Sequence, residues 1–591
     1  MMKRTAMVLG LLLVFSGLLN AQYVIKSTSE LEALKKLPLE KIYLHSNTDL
    51  LFPGEYLYYS TYCMNAATNK LSSISRMAYV ELIGEDLQTV FRQKVRLVGG
   101  RGQGDFFMPT SVASGNYKLV GYTQWMKNAP LTQLFQTDIV IINPYRNEQE
   151  RIISNDEAPK NTTNTTKKVL REDKSILLMP DRSTYGKREK VSLLAKNFKG
   201  PLGYGDYSLS VRRKETLNTK GALRAQEFGE IYLQVDKTLS RTVNDSIFLP
   251  EQRGELFFGT VLDNNNQPVV DETIVLSIPG QDFQLKSAIT DTDGNFYTYV
   301  NKPYNATQLL AQTLNKDSGQ HRIFMKRRSS VVYDDLKFGN FYINQNDKKT
   351  ILERSVHNQI ENAYYSVKPD SILSINKKDP YDGGVPEVIL LDEFTRFPTL
   401  RETLIELVPN VWVKKLDEGS YTFWVREDLE SYENDFVSDP PLVLVDGVFV
   451  PDHKSLLEFN ARVIEKISIL RDPLVLGSKK YLGMVVINTF EGDYLERIPP
   501  SNMAKYELNL PVADKNYFNQ SYKEEMQETI KRIPDFRHQL FWEPNFSIGE
   551  GTKETTFEFY TSDVSGEYDI FLEGFTRYGK PISVKGSFTV D

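Results

Sequence analysis

Between Pro440 and Asp493 the chain reads PPLVLVDGVFVPDHKSLLEFNARVIEKISILRDPLVLGSKKYLGMVVINTFEGD. An apolar run from Leu442 to Val445 is separated from Val448 to Val450 by the pair Asp446-Gly447. Asp-Gly between two such runs is a strong signal of a tight β-hairpin. Two further strands are predicted at Ile464 to Leu470 and Met484 to Thr489.

A short helix is predicted ahead of these strands, in DEFTRFPTLRETLIELVPNVWV. Thr399 can accept a hydrogen bond at the helix start while Glu402 returns one, which is the capping-box pattern. The apolar residues then fall on one helical face, and Pro409 ends the helix. They are Leu400, Leu404, Leu407 and Val408.

Residues 386–495 resemble the plug domain of TonB-dependent outer-membrane receptors. Pro409-Asn410-Val411 stands where plugs have a Pro-Gly-Val type turn, and Arg471-Asp472 where they commonly carry Lys-Asp. Tyr481-Leu482-Gly483 precedes the last strand, as in plugs. The resemblance implies an α+β domain. Fewer than a hundred residues follow Asp493, too few for a receptor barrel at about ten residues per strand, so we expect recognition or assembly rather than self-contained transport.

The first 21 residues have the pattern of a cleaved secretory signal peptide. Lys3 and Arg4 precede an apolar run from Ala6 to Leu19, and Ala21 is the small residue before the expected cleavage. We therefore expect an exported protein that is periplasmic or associated with the outer membrane, with exposure at the cell surface left open. No later run is long and apolar enough for a membrane helix, so any attachment to a membrane should use a partner protein.

The composition is that of a folded, strand-rich protein. The chain of 591 residues is 40% hydrophobic and 25% charged, and its 32 Tyr and 32 Phe favour strands. This length predicts several domains. The net charge of -6, without a large basic block, argues against nucleic acid as a partner.

Residues 38–146 contain KIYLHSNTDLLFPGEYLYYSTY and, later, GDFFMPTSVASGNYKLVGYTQW. Phe52-Pro53-Gly54-Glu55 predicts a turn before an aromatic strand, and Ser114 to Val120 alternates like a half-buried strand. The order of these pieces resembles the macroglobulin-like domains of the alpha-2-macroglobulin family, which implies a β-sandwich. After a linker at 147–168, residues 169–250 resemble a second copy, although Gly186-Lys187 replaces the expected Pro-Gly.

Residues 251–325 resemble the carboxypeptidase regulatory-like fold, with the hairpin signal Thr292-Asp293-Gly294-Asn295. Residues 326–385 are polar and predict an irregular connector. A helix is predicted at 521–533 and an immunoglobulin-like domain at 536–591. The predicted fold class is mainly β, with tandem immunoglobulin-like or macroglobulin-like sandwiches and the α+β plug-like domain. This order of modules resembles exported proteins of the Bacteroidetes group.

The residues that could carry chemistry do not form a recognised motif. The five histidines are never at metal-ligand spacing, and Asp291 lacks the glutamate that a calcium loop needs at its twelfth position. Cys63, the only cysteine, lies in an aromatic strand and is expected to be a core residue. Ser374 and Lys377 have one hydrolase spacing without its companion motifs. We expect no catalytic residues, no metal and no cofactor.

The leading hypothesis is a non-catalytic scaffold or accessory subunit that binds a partner β-barrel in an outer-membrane assembly, transport or secretion complex. One alternative is an extracellular adhesin or glycan-binding protein. Another is a hydrolase whose site would use Asp392, Glu393 and Asp446. The candidate docking residues are Asp446, Gly447, Arg471 and Asp472, although Asp-Gly is also a turn signal in its own right.

Overall fold

The computed structural model describes residues 22–147, 152, 175–234, 239–314, 321–373, 379–416, 419–426, 439–477, 479–497, 503–523 and 532–591. The predicted signal peptide, most of the linker at 147–168 and most of the helix at 521–533 lie outside these residues. Strands make up 44% of the structure and helices 14%, which confirms the predicted mainly β fold class. Among the described residues, no helix combines the length and apolar character needed to span a membrane.

The chain forms two compact units. The sandwich unit comprises Gln22–Gln252, Ser330–Ser374 and Pro511–Asp591. The other unit, which we call the plug unit after the plug-like domain predicted within it, comprises Arg253–Ser329 and Ile375–Leu510.

The first β-sandwich of the sandwich unit is built from residues 40 to 141. One sheet has the order Glu40–Ser46, Tyr56–Asn65, Arg101–Phe107. The facing sheet has the order Leu50–Leu51, Phe135–Ile141, Gly115–Tyr122, Met77–Gly84, Thr89–Arg96. Aromatic and β-branched side chains fill the space between the sheets, and Cys63 is fully buried among them, as the sequence predicted.

The second β-sandwich is assembled from two segments that are distant in sequence. Its smaller sheet has the order Ile176–Pro180, Lys190–Asn197, Glu554–Tyr560. Its larger sheet has the order Thr184–Tyr185, Pro581–Val590, Gly566–Thr576, Gly205–Arg213, Gln539–Ile548. Gly205–Arg213 thus lies between two C-terminal strands, with Leu209 opposite Leu572.

This topology corrects the prediction of separate domains at 169–250 and 536–591. Each segment supplies only part of each sheet, and the strands of one segment cover the edges of the other. Alternating sequence patterns identify strands but do not identify their partners, because any alternating strand can present an apolar face. The two segments therefore share one hydrophobic core.

The predicted irregular connector at 326–385 contains a 16-residue helix, Lys348–Ala363. The sequence pattern of this helix is hard to recognise, because the helical face that packs against the rest of the unit is largely polar rather than apolar. Ile351, Arg354, Ser355 and Asn358 are its buried residues. Residues 330–374 of the connector, which include this helix, are therefore part of the sandwich unit, whereas its two ends belong to the other unit.

The plug unit begins with a smaller sandwich. One sheet has the order Asn295–Val300, Glu255–Leu262, Arg322–Lys326. The other has the order Gln284–Ile289, Thr273–Ile278, Gln308–Thr313, Ala504–Glu507. The last strand follows the plug-like domain, so the predicted range 251–325 missed one strand, which becomes recognisable only through its pairing with Gln308–Ala311.

The plug-like domain has a mixed five-stranded sheet in the order Glu387–Leu390, Ile464–Leu470, Met484–Thr489, Leu442–Val445, Val448–Phe449. The three central strands have the predicted bounds. Helix Leu400–Leu407 covers one face, and the predicted capping box of Thr399 and Glu402 is present. Two hairpins, Val411–Lys415 with Tyr421–Val425 and Leu474–Leu476 with Lys479–Tyr481, complete the domain.

The remaining elements are short. The α-helices are Thr28–Lys35, Ala225–Ile231 and Tyr494–Arg497. Two strand pairs are Tyr23–Val24 with Ser246–Ile247 and Ser371–Ile372 with Lys515–Asn516. The 3-10 helices are Trp125–Asn128, Leu131–Gln133, Gly200–Gly203, Gln345–Asp347, Tyr365–Val367, Leu391–Glu393, His453–Leu456 and Ala461–Val463.

The shared core of the second sandwich leads to a testable prediction. Leu572→Ala removes a fully buried side chain and should destabilise its sandwich by about 2–5 kcal/mol. Because Leu572 pairs with Leu209, hydrogen exchange measured by mass spectrometry should accelerate in residues 205–213 as well as in 566–576. Val445→Ala, a buried substitution in the plug unit, serves as the control and should not affect residues 205–213. Acceleration confined to residues 536–591 would contradict the shared sandwich.

Candidate functional site

The predicted hairpin turn at Asp446-Gly447 is present. It joins Leu442–Val445 to Val448–Phe449, and both turn residues have positive φ, 51° for Asp446 and 79° for Gly447. Such angles are what a two-residue hairpin requires and why Asp-Gly is preferred there. The turn was therefore predictable from two residues.

The same two residues are buried within the plug unit. The Asp446 carboxylate accepts hydrogen bonds from the Thr489 backbone N–H at 2.7 Å, the Thr489 hydroxyl at 2.7 Å and the Tyr494 N–H at 3.1 Å. A Cβ added to Gly447 would lie 2.7 Å from the Phe283 Cβ. Asp446 therefore connects the turn to the end of the neighbouring strand, and the surface open to a partner lies elsewhere.

Arg471 and Asp472 lie at the opposite end of the sheet. Arg471 follows Leu470, which pairs with Met484 at the start of its strand, whereas Asp446 contacts Thr489 at the end of that strand. The Arg471 Nε donates to the Arg426 carbonyl at 2.9 Å, and Asp472 is exposed. The four predicted docking residues thus do not form one surface, and docking by Arg471 and Asp472 stays a prediction.

An apolar surface lies close to Arg471, on the edge strand Glu387–Leu390. Glu387 pairs with Ile469, two residues before Arg471. Val385, Val388 and Leu390, which we call the edge surface, are 86%, 50% and 42% exposed. Ile389 points to the opposite side and is buried in the core. No other described strand pairs with the outer edge of this strand.

The carboxylates suggested for a hydrolase have separate roles. Asp392 is exposed and forms an ion pair with Arg396, Glu393 is exposed, and Asp446 caps the turn described above. They act as a surface ion pair and a cap rather than as the wall of one pocket. Within the described ranges, no group of three or more His, Cys, Asp or Glu side chains is placed to hold a metal ion.

Sequence reasoning missed a pocket in the sandwich unit, with a volume of about 140 Å³. The strand Tyr56–Asn65, the helix Lys348–Ala363 and the strand Gln539–Ile548 with the residues before it each contribute to its lining. A signal for the helix was present in the sequence, because Arg354, Asn358 and Asn362 recur every four residues and so share one helical face. This face could not be assigned to a partner without the fold.

The pocket lies over a buried ion cluster centred on Glu55. The Arg354 Nε and Nη2 each lie 2.8 Å from a Glu55 carboxylate oxygen, and the Arg212 Nη2 lies at 3.2 Å. Burial alone would raise the pKa of the Glu55 carboxyl, but the Arg354 and Arg212 guanidiniums hold it well below its usual range. Gly54, with φ of 89°, has no Cβ, and the Asn362 side chain occupies the space where one would be.

A row of four aromatic rings lines the pocket, in the order Tyr365, Tyr56, Tyr58 and Trp542. Neighbouring ring centroids are 6.0, 5.6 and 6.1 Å apart, and neighbouring planes differ by 18°, 4° and 19°. Tyr56 and Tyr58 share one face of their strand because they are two residues apart. The row extends from the half-exposed Tyr365 to the buried Trp542.

His45 lies beyond Trp542, with 5.1 Å between the ring centroids. Its Nδ1 lies 2.6 Å from the Ser208 Oγ of the second sandwich. Burial, with a smaller contribution from Arg224, lowers the pKa of His45 to about 3. The imidazole is therefore neutral at physiological pH.

Comparison with known proteins gives no family for this chain. No family model matches, and no curated protein matches. Among solved structures, Salmonella alpha-2-macroglobulin reacted with methylamine is 9% identical with a TM-score of 0.23, covering 93% of this chain and 39% of that one. Escherichia coli alpha-2-macroglobulin activated by porcine elastase is 10% identical with a TM-score of 0.23, covering 93% and 44%. The Yersinia pseudotuberculosis adhesin InvE is 10% identical with a TM-score of 0.12, covering 49% and 59%.

This chain thus spans less than half the length of either alpha-2-macroglobulin. Overlaps with such low TM-scores do not establish a family.

Substitution of Asp446 should affect folding. Asp446→Ala removes a buried acceptor of three hydrogen bonds and leaves the donors without it, so we expect the plug unit to lose roughly 2–4 kcal/mol of unfolding free energy. This loss is measured by unfolding the protein in urea and monitoring the hydrogen exchange of residues 484–494. Asp472→Ala, at an exposed residue, is the control and should have little effect. Equal stability of the two variants would contradict the structural role of Asp446.

His45 should make the sandwich unit less stable in mild acid. Its folded pKa of about 3 lies below the usual value of about 6.5, so between these values the unfolded chain binds a proton that the folded chain does not. The contribution of neutral His45 to the unfolding free energy is therefore fully present above about pH 6.5. About 2 kcal/mol of this contribution should be lost when the pH falls from 7 to 5. The variant His45→Asn should show a smaller loss over this range in denaturant titrations at each pH. An unchanged pH dependence would contradict the assignment.

Proposed function

We propose that this chain is a non-catalytic scaffold protein that binds an outer-membrane β-barrel protein, or a complex containing one, through the edge surface of its plug unit. The observation that carries this proposal is the edge strand Glu387–Leu390, whose outer edge pairs with no strand among the described residues and which exposes the apolar side chains of Val388 and Leu390. Proteins usually protect such an edge with charges, proline or a covering segment. An edge that no described strand pairs with is suited to receive an extended segment from another chain.

The chemistry of the edge surface favours an extended, largely apolar segment as the occupant. Backbone groups along Glu387–Leu390 can add hydrogen bonds to an incoming strand, while Val388 and Leu390 offer apolar contacts on one face. Arg471 and Asp472 lie near the end of this strand and can set the direction of the incoming segment through their charges. The resemblance to receptor plugs, whose natural neighbour is a barrel wall, supports a β-barrel protein as its source.

The proposed location is the periplasm or an association with the outer membrane, with exposure at the cell surface left open. Its support is the signal-peptide pattern of the first 21 residues. Assembly, transport and secretion complexes all supply β-barrel partners for such a protein. We therefore propose a binding role only. The identity of the β-barrel protein that co-purifies with this chain would show whether the complex serves assembly, transport or secretion.

The test is affinity purification of the tagged full-length chain from detergent-solubilised membranes of its native host. We expect a β-barrel protein, identified by mass spectrometry, to co-purify with the wild-type chain. In the double variant Val388→Lys, Leu390→Lys its recovery should fall at least about ten-fold, because two charges would then have to be desolvated at the contact.

The matched control is Ile405→Lys, which adds a charge at a residue of the same domain that is 65% exposed but lies on the helix. This variant should retain the partner. Thermal unfolding should show that all the variants are folded. Recovery of the wild-type chain alone, or equal recovery of the barrel by both variants, would refute binding through the edge surface.

A further inference from the structure

Two histidines that are distant in sequence meet in the sandwich unit. His357 belongs to the helix Lys348–Ala363, and His538 directly precedes the strand Gln539–Ile548. The His357 Nδ1 lies 3.2 Å from the His538 Nε2. The His357 ring also stacks on the Phe536 ring, with 4.6 Å between the centroids and 1° between the planes. This histidine pair therefore holds the second half of the helix against residues 536–538.

The hydrogen bond of the histidine pair limits how many protons the pair can bind. One of the two facing nitrogens must donate an N–H, and the other must accept it. A first proton can be bound without loss of this bond, because an imidazolium still donates to a neutral imidazole. A second proton would place two N–H groups against each other. The closed pair therefore accommodates one additional proton at most, whereas the two histidines can bind two protons once the helix is released.

The charges around His538 oppose its protonation. Three guanidiniums act on this imidazole against the single carboxylate of Glu55. They belong to Arg354 of the helix and to Arg212 and Arg213 of the strand Gly205–Arg213. Burial is the largest cause that lowers the pKa of His538 well below its usual value, and the Arg354 guanidinium adds to this effect. A proton on His538 would therefore add a charge to a buried site that already holds an excess of positive charge.

The surroundings of His357 are more balanced. Burial lowers the pKa of His357, the Glu353 carboxylate raises it, and the Arg213 guanidinium lowers it. The Phe536 N–H donates to the Glu361 carboxylate at 2.6 Å. The charged groups on both sides of Phe536 are already paired, Glu361 with Lys368 at 2.6 Å and Asp535 with Arg537 at 2.7 Å. As the pH falls, His357 is therefore the first member of the pair to bind a proton, and His538 is the second.

We propose that the histidine pair is an acid-sensitive latch, which releases residues 356–363 of the helix when both imidazoles are protonated. The first half of the helix stays attached, because Arg354 remains paired with Glu55. A released helical segment of this length is not stable in water, so release and local unfolding coincide. The contribution of the pair is fully present above about pH 6.5, the usual histidine value, and is lost as the pH falls below it. The latch lies in the sandwich unit and is independent of the barrel binding proposed for the plug unit.

The test measures hydrogen exchange of the full-length protein by mass spectrometry at pH 7 and pH 5, corrected for the intrinsic pH dependence of exchange. A histidine that is protonated only in the open state raises the opening constant about 25-fold over this range. The opening constant of residues 356–363 should therefore rise between about 25-fold, for one proton, and about 600-fold, for two. That of residues 351–355 should rise far less, because Arg354 holds them.

The matched variant is the double substitution His357→Asn, His538→Gln. Each amide lies near the position of the imidazole nitrogen that it replaces, so the two side chains can form a hydrogen bond at both pH values without binding a proton. This variant should lose the acceleration. The single variant His357→Asn should show a smaller acceleration than the wild type, about 25-fold at most. His45→Asn, which removes a buried histidine outside the pair, is the control and should retain the wild-type acceleration.

Several results would overturn the latch. An equal acceleration in the wild type and the double variant would show that other groups bind the protons. An equal acceleration in residues 356–363 and in the strands Gly205–Arg213 and Gly566–Thr576 would show that the helix opens only when the whole unit unfolds. Thermal unfolding at pH 7 establishes whether each variant is folded. If the double variant is not, an acceleration of His357→Asn equal to that of the wild type would refute the proposal, and a smaller one would support it.

Discussion

The buried carboxylate of Glu55 is the interaction on which the sandwich unit most depends. It belongs to the turn after Phe52 in the first sandwich, and it accepts hydrogen bonds from Arg212 in the second sandwich and from Arg354 in the connector helix. Three segments separated by more than a hundred residues therefore meet at one charge. Removing one member of such a cluster leaves an uncompensated buried charge, which typically costs about 3–5 kcal/mol. The same cluster fixes the helix that carries Asn358, and so it fixes the geometry of the pocket.

Several further polar contacts join the two sandwiches, beside the packing of Phe575 against Tyr43 and Tyr62. Ser208 of the second sandwich lies 2.6 Å from the His45 Nδ1 and accepts from the Tyr62 hydroxyl at 2.9 Å. Ser60 donates to the Pro544 carbonyl at 2.6 Å. A purely apolar contact would allow the sandwiches to slide, whereas buried hydrogen bonds are satisfied in one arrangement. The sandwich unit therefore holds the residues that line its pocket in a fixed arrangement.

The two units carry different kinds of surface feature. In the plug unit, the conspicuous Asp446-Gly447 turn is internal, and the exposed features are the apolar edge strand with Arg471 and Asp472 near its end. An open strand edge suits a protein segment, because backbone hydrogen bonding is largely independent of sequence. In the sandwich unit, the aromatic row lines an open pocket of about 140 Å³.

The sequence by itself determined the local elements. Turn geometry, helix capping and strand alternation depend on neighbouring residues, so short-range patterns predict them. The features predicted in this way are the Asp446-Gly447 turn, the capping box at Thr399, the three central strands of the plug-like domain and the buried state of Cys63. The tertiary structure decided which strands share a sheet, so that residues 205–213 lie between C-terminal strands rather than in a domain of their own. It also turned the polar face of helix Lys348–Ala363 inward, so that Asn358 and Trp542 line the same pocket. Those outcomes depend on edge pairing and charge burial between distant segments, and no local pattern of residues specifies which segments will meet.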